Sequence, residues 1–542
     1  MNHIYKEWLN SSKLTLIEKK AIKKLSIKER DTYFPNELLT FGTAGVRGKM
    51  GMGTARMNRF TYANLANAYG RYIIKQHGLN KTIVIGHDNR LNSDKFAILC
   101  AELLSSLGIK VLLFANNQLM PTPIVSYAIR ETKSVGGLII TASHNPKEYN
   151  GFKAYADDGG QILPDAANQI STFLNKPKDI LKLECKPNYK LIKYLSNSVI
   201  NNYLRSARVV LINKKEIKHG KYDPIMLTTH HGTASKLLPQ FLKSLNFNVK
   251  PIKSQTFFSP TFVNSPISNP EDFNSFDQSI KEADKLDSDF CIGVDPDADR
   301  MAVCLKHQGQ WRLISGNEMG IIYTYYCLKN RHFTKTPYVI SSYVSTYLID
   351  RIVKAYKGKV YRTGTGFKWM GAKVTEIGNR ESFVVAFEEA IGALNTTINR
   401  DKDSFTASAL ALEIREVYRK KGMDFVDILE KEIYPKYGQW FGKTVSFTYD
   451  VLDWKPVVKS KMDLLKKYKH NTIGDLKIKK ILWNKIGDCL EWHLDNDSWI
   501  KFRLSGTEPK FKIYYNLFGD DMSILLNQYN KLDLLFKQML GV

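Results

Sequence analysis

Apolar residues in this chain follow two rhythms, and the second takes over near the C-terminus. Short continuous runs such as Ile83-Val84-Ile85, Val111-Leu112-Leu113-Phe114 and Gly137-Leu138-Ile139-Ile140 predict buried strands near 82–85, 110–114 and 137–141. Helical spacing between them predicts helices near 58–77 and 93–107, with Gly108 placed to stop the second. The alternation recurs with a strand at 225–229, an amphipathic helix near 234–246 and a strand at 290–294. It recurs again with strands at 338–343 and 383–386 and helices near 345–357 and 404–421. No residue-level period is visible, so the three units form a diverged structural repeat. Beyond about residue 435 the pattern becomes strand pairs, Ile481–Trp483 with Glu491–Leu494 and Ile500–Leu504 with Phe511–Tyr515, followed by a helix. The expected fold is α/β: three similar α/β domains with mixed sheets plus a C-terminal α+β domain. The expected boundaries are 1–200, including an N-terminal helical extension, then 201–308, 309–430 and 431–542.

Each unit carries polar chemistry at the end of a strand, where α/β proteins place their sites. Thr141-Ala142-Ser143-His144-Asn145-Pro146 follows the run 137–140 and sets a hydroxyl, Ser143, beside an imidazole, His144. A serine at such a turn can carry a covalent group, although serine is also an ordinary turn former. Asp295-Pro296-Asp297-Ala298-Asp299-Arg300 follows Phe290–Val294. Its three carboxylates at alternate positions repel one another unless a cation neutralises them, and an all-oxygen set without His or Cys suits Mg²⁺ better than zinc. Phe387-Glu388-Glu389-Ala390-Ile391-Gly392 follows Phe383–Ala386 and offers two carboxylates as acceptors for the hydroxyls of a polyol. Arg503-Leu504-Ser505-Gly506-Thr507-Glu508-Pro509-Lys510, between two strand-like runs, supplies donors spaced for a phosphate.

A serine nucleophile, a carboxylate metal site, a polyol acceptor and a phosphate cradle together describe phosphoryl transfer to a sugar. The chain resembles the α-D-phosphohexomutases, the superfamily of phosphoglucomutases and phosphomannomutases, from Phe41-Gly42-Thr43-Ala44-Gly45-Val46-Arg47-Gly48 to Arg503–Lys510 and in the family's order. The resemblance implies four domains around a central cleft and a phosphoserine at Ser143. The serine phosphate passes to a sugar monophosphate, giving a sugar bisphosphate that serves as both intermediate and activator. Ser143, Asp295, Asp297 and Asp299 match the family's Mg²⁺ ligands, with His144 beside the serine, and Arg47 is expected to orient the phosphate. Lys153 and Lys402 match lysines near the reacting oxygens and are candidates for general acid/base. Lys368, Glu388, Ala390, Arg503, Ser505, Gly506 and Thr507 are expected to bind substrate. Many relatives carry Ser where this chain has Ala390, and the Phe-Glu-Glu-Ala-Ile-Gly form resembles a branch that includes phosphopentomutase activity. Interconversion of pentose 1- and 5-phosphates is therefore the alternative to hexose 1- and 6-phosphates.

Composition narrows the remaining choices. At 542 residues the chain is too long for one growing core. Hydrophobic and charged shares of 43 % and 24 % are those of a globular protein. No apolar run approaches transmembrane length, and Met1–Leu25 lacks the apolar core of a signal peptide. The six cysteines show no CxxC spacing and read as reduced thiols of a cytoplasmic protein. A net charge of +26 would suit a nucleic-acid binder, but lysines are spread along the chain with no long basic tail. The expected partners are small anionic sugar phosphates, with neither nucleic acid nor membrane, for a monomer or weak homo-oligomer. An aspartate-nucleophile phosphatase is a second enzymatic reading of the DxDxD motif, but it leaves Ser143 unexplained.

Overall fold

The computed structural model describes residues 3–37, 39, 45–217, 223–449, 454–504 and 510–541. Three short helices come first, His3–Asn10, Leu16–Lys23 and Ile27–Tyr33. Reciprocal capping boxes at Thr15/Glu18 and Ser26/Glu29 fix where the second and third begin. Their apolar sides, with Ile4, Tyr5, Trp8 and Ile22, pack on Phe34, Phe60 and Ile180.

The first sheet contains strands β1 (Val46–Lys49), β2 (Thr82–His87), β3 (Lys110–Phe114), β4 (Gly136–Ile140), β5 (Tyr149–Ala156) and β6 (Ile192–Leu195), in the order β1-β5-β4-β2-β3-β6. β4, β2, β3 and β6 run parallel, whereas β5 is antiparallel to both β4 and β1. Helices Arg59–His77 and Ser93–Ser106 contribute to the core beside these strands. They cover one face of β2 and β4 and the helix Thr122–Glu131 covers the other, which is why both strands read as unbroken apolar runs rather than alternating ones. Gly108, at φ +83°, ends the second helix as expected. The amide of Gly108 donates to Ser105 O and that of Ile109 to Leu104 O, the Schellman pattern.

The second sheet, β7 (Ile225–Thr228), β8 (Val249–Pro251), β9 (Phe290–Val294), β10 (Met301–His307) and β11 (Gln310–Leu313), is also mixed, in the order β11-β10-β9-β7-β8. In the third, β12 (Pro337–Ser342) pairs in parallel with both β13 (Lys359–Thr363) and β14 (Ser382–Phe387). A short strand β15 (Ala393–Leu394) precedes the helix Ser404–Arg419. The C-terminal sheet comprises β16 (Gln439–Thr448), β17 (Thr472–Ile473), β18 (Leu476–Asn484), β19 (Cys489–Leu494), β20 (Trp499–Leu504) and β21 (Lys510–Gly519). Its pairs are antiparallel, in the order β16-β21-β20-β19-β18-β17. Both predicted strand pairs are present as β18/β19 and β20/β21.

The helix expected near 345–357 starts later, at Leu348, because Tyr343–Tyr347 forms a turn whose Thr346 hydroxyl accepts from Leu348 N. By compactness the chain forms two units, Met1–Ile314 with Gly371–Glu376 and Gly392–Leu412, and Ser315–Met370 with Ile377–Ile391 and Glu413–Val542.

Candidate active site

In the first unit, antiparallel pairing of β4 with β5 places Ile139 opposite Lys153, so the connection carrying Ser143 folds back beside that lysine. Gly151 lets β5 approach closely: a Cβ there would stand 2.5 Å from Thr141 O and 2.9 Å from Val46 O. Ser143 adopts φ +52°, a left-handed conformation that costs an L-residue about 1–2 kcal/mol. Its amide donates to Thr141 Oγ1 (2.9 Å), and its Oγ donates to Asp295 Oδ2 (2.8 Å). His144 Nδ1 lies 3.4 Å from the same Oγ. Burial and the guanidiniums of Arg300 and Arg47 push that imidazole well below its ordinary range, so it is neutral at physiological pH. Arg47 donates to Asn145 Oδ1 (3.1 Å), tying the expected phosphate orienter to the serine turn.

The acidic loop follows β9 and is held from several sides. Asp295 Oδ1 accepts from the amides of Asp299 (3.1 Å) and Arg300 (2.9 Å). Gly232 packs against Pro296, where a Cβ would come within 2.3 Å of its Cα, and Thr233 N donates to Pro296 O (2.7 Å). Carboxylate oxygens of Asp295, Asp297 and Asp299 lie within 4.8 Å of one another, and all three side chains are buried. Burial and the charges of Asp297 and Asp299 hold Asp295 well above the ordinary carboxylate range. Asp297 goes the other way: burial alone would raise it, but the charge and hydrogen bond of Lys153, the hydrogen bond with Asp295 and the charge of Arg47 together lower it. Among the described residues, Asp297 Oδ1 and Asp299 Oδ1 are buried without a hydrogen-bond donor. Converging hard oxygens with donor-free lone pairs fit a divalent cation such as Mg²⁺.

Both expected lysines reach this cluster. Lys153 Nζ is 2.6 Å from Asp297 Oδ2 and 3.1 Å from Asp299 Oδ2. Burial opposes its charge, yet the two carboxylates prevail and raise it above the ordinary lysine value. Lys402 Nζ stands 3.1 Å from Asp299 Oδ2. Its neighbour Asp401 accepts from the Lys402 amide (2.9 Å) through Oδ1, and from Tyr155 (2.8 Å) and Gln161 (2.7 Å) through Oδ2. Ser143, the three aspartates, Lys153 and Lys402 thus form one centre. Sequence reasoning missed the groups that hold it, namely Arg90, Asp88, Tyr155, Gln161 and Asp401. Arg90 had a signal: Asp88-Asn89-Arg90 ends β2 just as the other motifs end their strands.

The second unit carries the remaining described candidates. Lys368, at the start of the helix Phe367–Ile377, is 4 % exposed, and burial lowers its pKa. Glu388 Oε1 accepts from Gly366 N (2.8 Å), and Gly366 takes φ +102°. Glu389 accepts from Ser342 (3.0 Å) and Ser345 (3.3 Å), so of the two adjacent carboxylates this one anchors the loop. Ala390 is half-buried, and Arg503 lies in the last two residues of β20, opposite Lys512. Ser505, Gly506 and Thr507 lie outside the described residues, as do Phe41–Ala44 of the opening motif. Lys501, not anticipated, is fully buried and donates to Tyr343 O (2.6 Å) while pairing with Glu491 (3.0 Å).

The comparisons with known proteins follow the same plan. Family descriptions of phosphoglucomutase/phosphomannomutase alpha/beta/alpha domains I, II and III match residues 38–180, 201–309 and 315–435. A phosphomannomutase of Mycoplasmoides pirum is 44 % identical over the whole of both chains. A phosphoglucomutase of Staphylococcus aureus is 30 % identical, covering 96 % of this chain and 97 % of its own. Among solved structures, the open form of the Paramecium phosphoglucomutase parafusin superposes with a TM-score of 0.69 at 18 % identity, covering 94 % of this chain and 97 % of that one. An Aspergillus fumigatus N-acetylphosphoglucosamine mutase, in complex with glucose 1,6-bisphosphate, has a TM-score of 0.51 at 12 % identity, covering 99 % and 98 %. The three mixed α/β domains, the antiparallel C-terminal sheet and the full-length relatives converge, and the chain belongs to the α-D-phosphohexomutase superfamily.

Proposed function

We propose that this protein is a phosphohexomutase that interconverts hexose 1-phosphate and hexose 6-phosphate, with mannose and glucose phosphates as substrates. The relatives named above carry hexose names and leave the pentose alternative without support. The observation that carries the reading is the 2.8 Å contact of Ser143 Oγ with Asp295, inside a cluster that also holds Asp297, Asp299, Lys153 and Lys402.

In the proposed cycle a hydroxyl oxygen of the sugar monophosphate attacks phosphorus on Ser143. The new O–P bond forms as the Oγ–P bond breaks; the hydroxyl proton passes to Lys402 as general base, and Lys153, which Asp297 and Asp299 hold in its charged form, gives a proton to the departing Oγ. The resulting sugar bisphosphate turns over and returns its other phosphate to Ser143, whose Oγ proton goes back to Lys153 while Lys402 returns its proton to the freed sugar oxygen. Arg47 orients the phosphate as a charged donor. Neutral His144 positions the turn. Lys368, Glu388 and Arg503, with Ser505, Gly506 and Thr507, are assigned to sugar and phosphate recognition. Ser143, Asp295, Asp297 and Asp299 would hold Mg²⁺, which when bound offsets charge developing on the transferred group.

No helix among the described residues is long and apolar enough to cross a membrane. We assign the protein to the cytoplasm, as a monomer or weak homo-oligomer whose charge of +26 draws in dianionic sugar phosphates. The partition into 1–200, 201–308, 309–430 and 431–542 is retained as the proposed domain plan. The test is a side-by-side assay of glucose 1-phosphate and mannose 1-phosphate with Mg²⁺ and a sugar bisphosphate activator. Turnover of both is expected; turnover of neither would overturn the assignment.

A further inference from the structure

Arg90 lies beneath the serine turn and is 2 % exposed. One terminal nitrogen donates to Ser143 O (2.6 Å) and Asn145 O (2.5 Å). The other donates to Pro146 O (2.8 Å) and Tyr149 O (3.1 Å). Its Nε stands 3.2 Å from Asp88 Oδ2, and both side chains of that ion pair are fully buried. The far face of the guanidinium meets Phe262, 5.0 Å from the ring centroid. Asp88 is fixed in turn, because its Oδ1 accepts from Arg90 N (2.9 Å) and Ser93 Oγ (2.7 Å). Asn150, at the far end of the loop, donates to Ser93 Oγ (3.0 Å). The short turn after β2 therefore grips the whole connection from Ser143 to Asn150.

Four main-chain carbonyls of one loop accept hydrogen bonds from one planar cation, and the Asp88 carboxylate pairs with it by charge. Without that cation the inward-turned carbonyls of Ser143, Asn145 and Tyr149 would lose their donor, whereas Pro146 O also accepts from Tyr149 N (3.0 Å). They are also what the left-handed conformation of Ser143 requires, for that backbone twist sends its carbonyl inward and its Oγ toward Asp295. A lysine offers three donors from one point and cannot span four oxygens, whereas the guanidinium fork can.

We propose that Arg90 is a positioning residue for phosphoryl transfer: by satisfying four carbonyls of the 143–149 loop it holds Ser143 in its left-handed conformation with Oγ on the acidic cluster. This rests on the proposed mutase reading for its kinetic consequence, but the clamp itself stands on geometry alone. Arg90 touches only the loop backbone in this role, so its loss should leave substrate affinity in place and slow the transfer step.

The test compares Arg90→Lys with the parent protein by steady-state kinetics and by hydrogen exchange of the Ser143–Tyr149 amides. A misplacement of the order of 1 Å costs about a hundredfold in rate. We therefore expect kcat to fall by roughly that factor with KM changed less than about threefold. Loop amides should exchange at least about tenfold faster while those of β2 and β4 stay as in the parent. Activity within threefold of the parent, or loop exchange unchanged, would overturn the clamp. If Arg90→Lys does not fold, Asp88→Asn replaces it. That variant keeps the guanidinium and its carbonyl contacts but removes the counter-charge, and should show the same pattern more weakly; full parental kcat and loop protection would overturn the proposal. An inactive parent would sink the mutase reading, whereas the exchange arm would still decide the clamp.

Discussion

The serine–aspartate–lysine centre of the first unit and the loops of the second that are proposed to bind sugar and phosphate are built to different standards. Ser143, Lys153, Asp295, Asp297 and Asp299 are each no more than 2 % exposed. Each also contacts a partner from a distant part of the chain, as in Ser143 with Asp295 or Lys402 with Asp299. Glu388, Ala390 and Arg503 are only half-buried. Charge in the first region is worth more because water is excluded, and moving any group is costly because its partners are fixed. The second region is proposed to meet and release a polar ligand; Glu388, Ala390 and Arg503 keep solvent access, and among its described candidates Lys368, at 4 % exposed, is buried. Substitutions in the first region should therefore act on kcat, and those in the second on affinity and specificity.

The largest expected effect is that of Ser143→Ala. The change removes one oxygen and its bond to Asp295 while keeping a Cβ at the same backbone position, so the fold should survive. Turnover with activator present should fall by at least about 10⁴-fold, because in the proposed cycle Ser143 is the residue that carries the phosphate. Calorimetry showing an intact fold together with near-parental turnover would remove Ser143 from the mechanism.

Metal binding comes next, and its pH dependence has a definite sign. Asp295 is held above the ordinary carboxylate range by burial and by Asp297 and Asp299, so the ion-free cluster retains a proton at pH values where a solvated aspartate would not. A divalent cation must displace that proton. Mg²⁺ affinity should rise with pH, by up to about tenfold per unit below the raised pKa, and level off above it. Titration calorimetry in buffers of different ionisation enthalpy should register proton release, and Asp297→Asn should weaken binding at every pH. Affinity indifferent to pH across this range would contradict the electrostatic account of the cluster.

A smaller effect is expected in the second region. Glu388→Gln loses a charged acceptor at a half-buried site, worth about 1–3 kcal/mol toward sugar hydroxyls. kcat/KM should fall roughly 5- to 150-fold, the same energy expressed as a rate, and mostly through KM. Ala390 offers no hydroxyl to tell epimers apart, so mannose 1-phosphate and glucose 1-phosphate should be turned over at comparable rates. A change in kcat alone for Glu388→Gln would erase the contrast between the two regions.

How much of this was legible in the sequence follows the same division. Buried strands ending in a motif could be read locally, so Ser143 and the aspartate triplet were visible, as were β18/β19 and β20/β21. β5 was not, because Asn150-Gly151 near its start reads as a turn; the glycine is there for close approach to Thr141 O rather than for a bend. The framework of the centre was also hidden. Tyr155 reaches Asp401 across 246 residues of chain and Arg90 reaches Ser143 across 53, and no periodicity encodes such contacts. The adjacent pair Glu388 and Glu389 looked equivalent, and only packing separates the carboxylate near Gly366 from the one that Ser342 and Ser345 immobilise.

The most direct test of the central claim is to incubate the protein with a sugar bisphosphate and Mg²⁺, map the phosphate by peptide mass spectrometry, and then add glucose 1-phosphate. The account predicts a single phosphate on Ser143, stable to hydroxylamine, that is lost to the added sugar as bisphosphate appears. A hydroxylamine-labile phosphate on Asp295, or a phosphoserine that the sugar does not discharge, would contradict it.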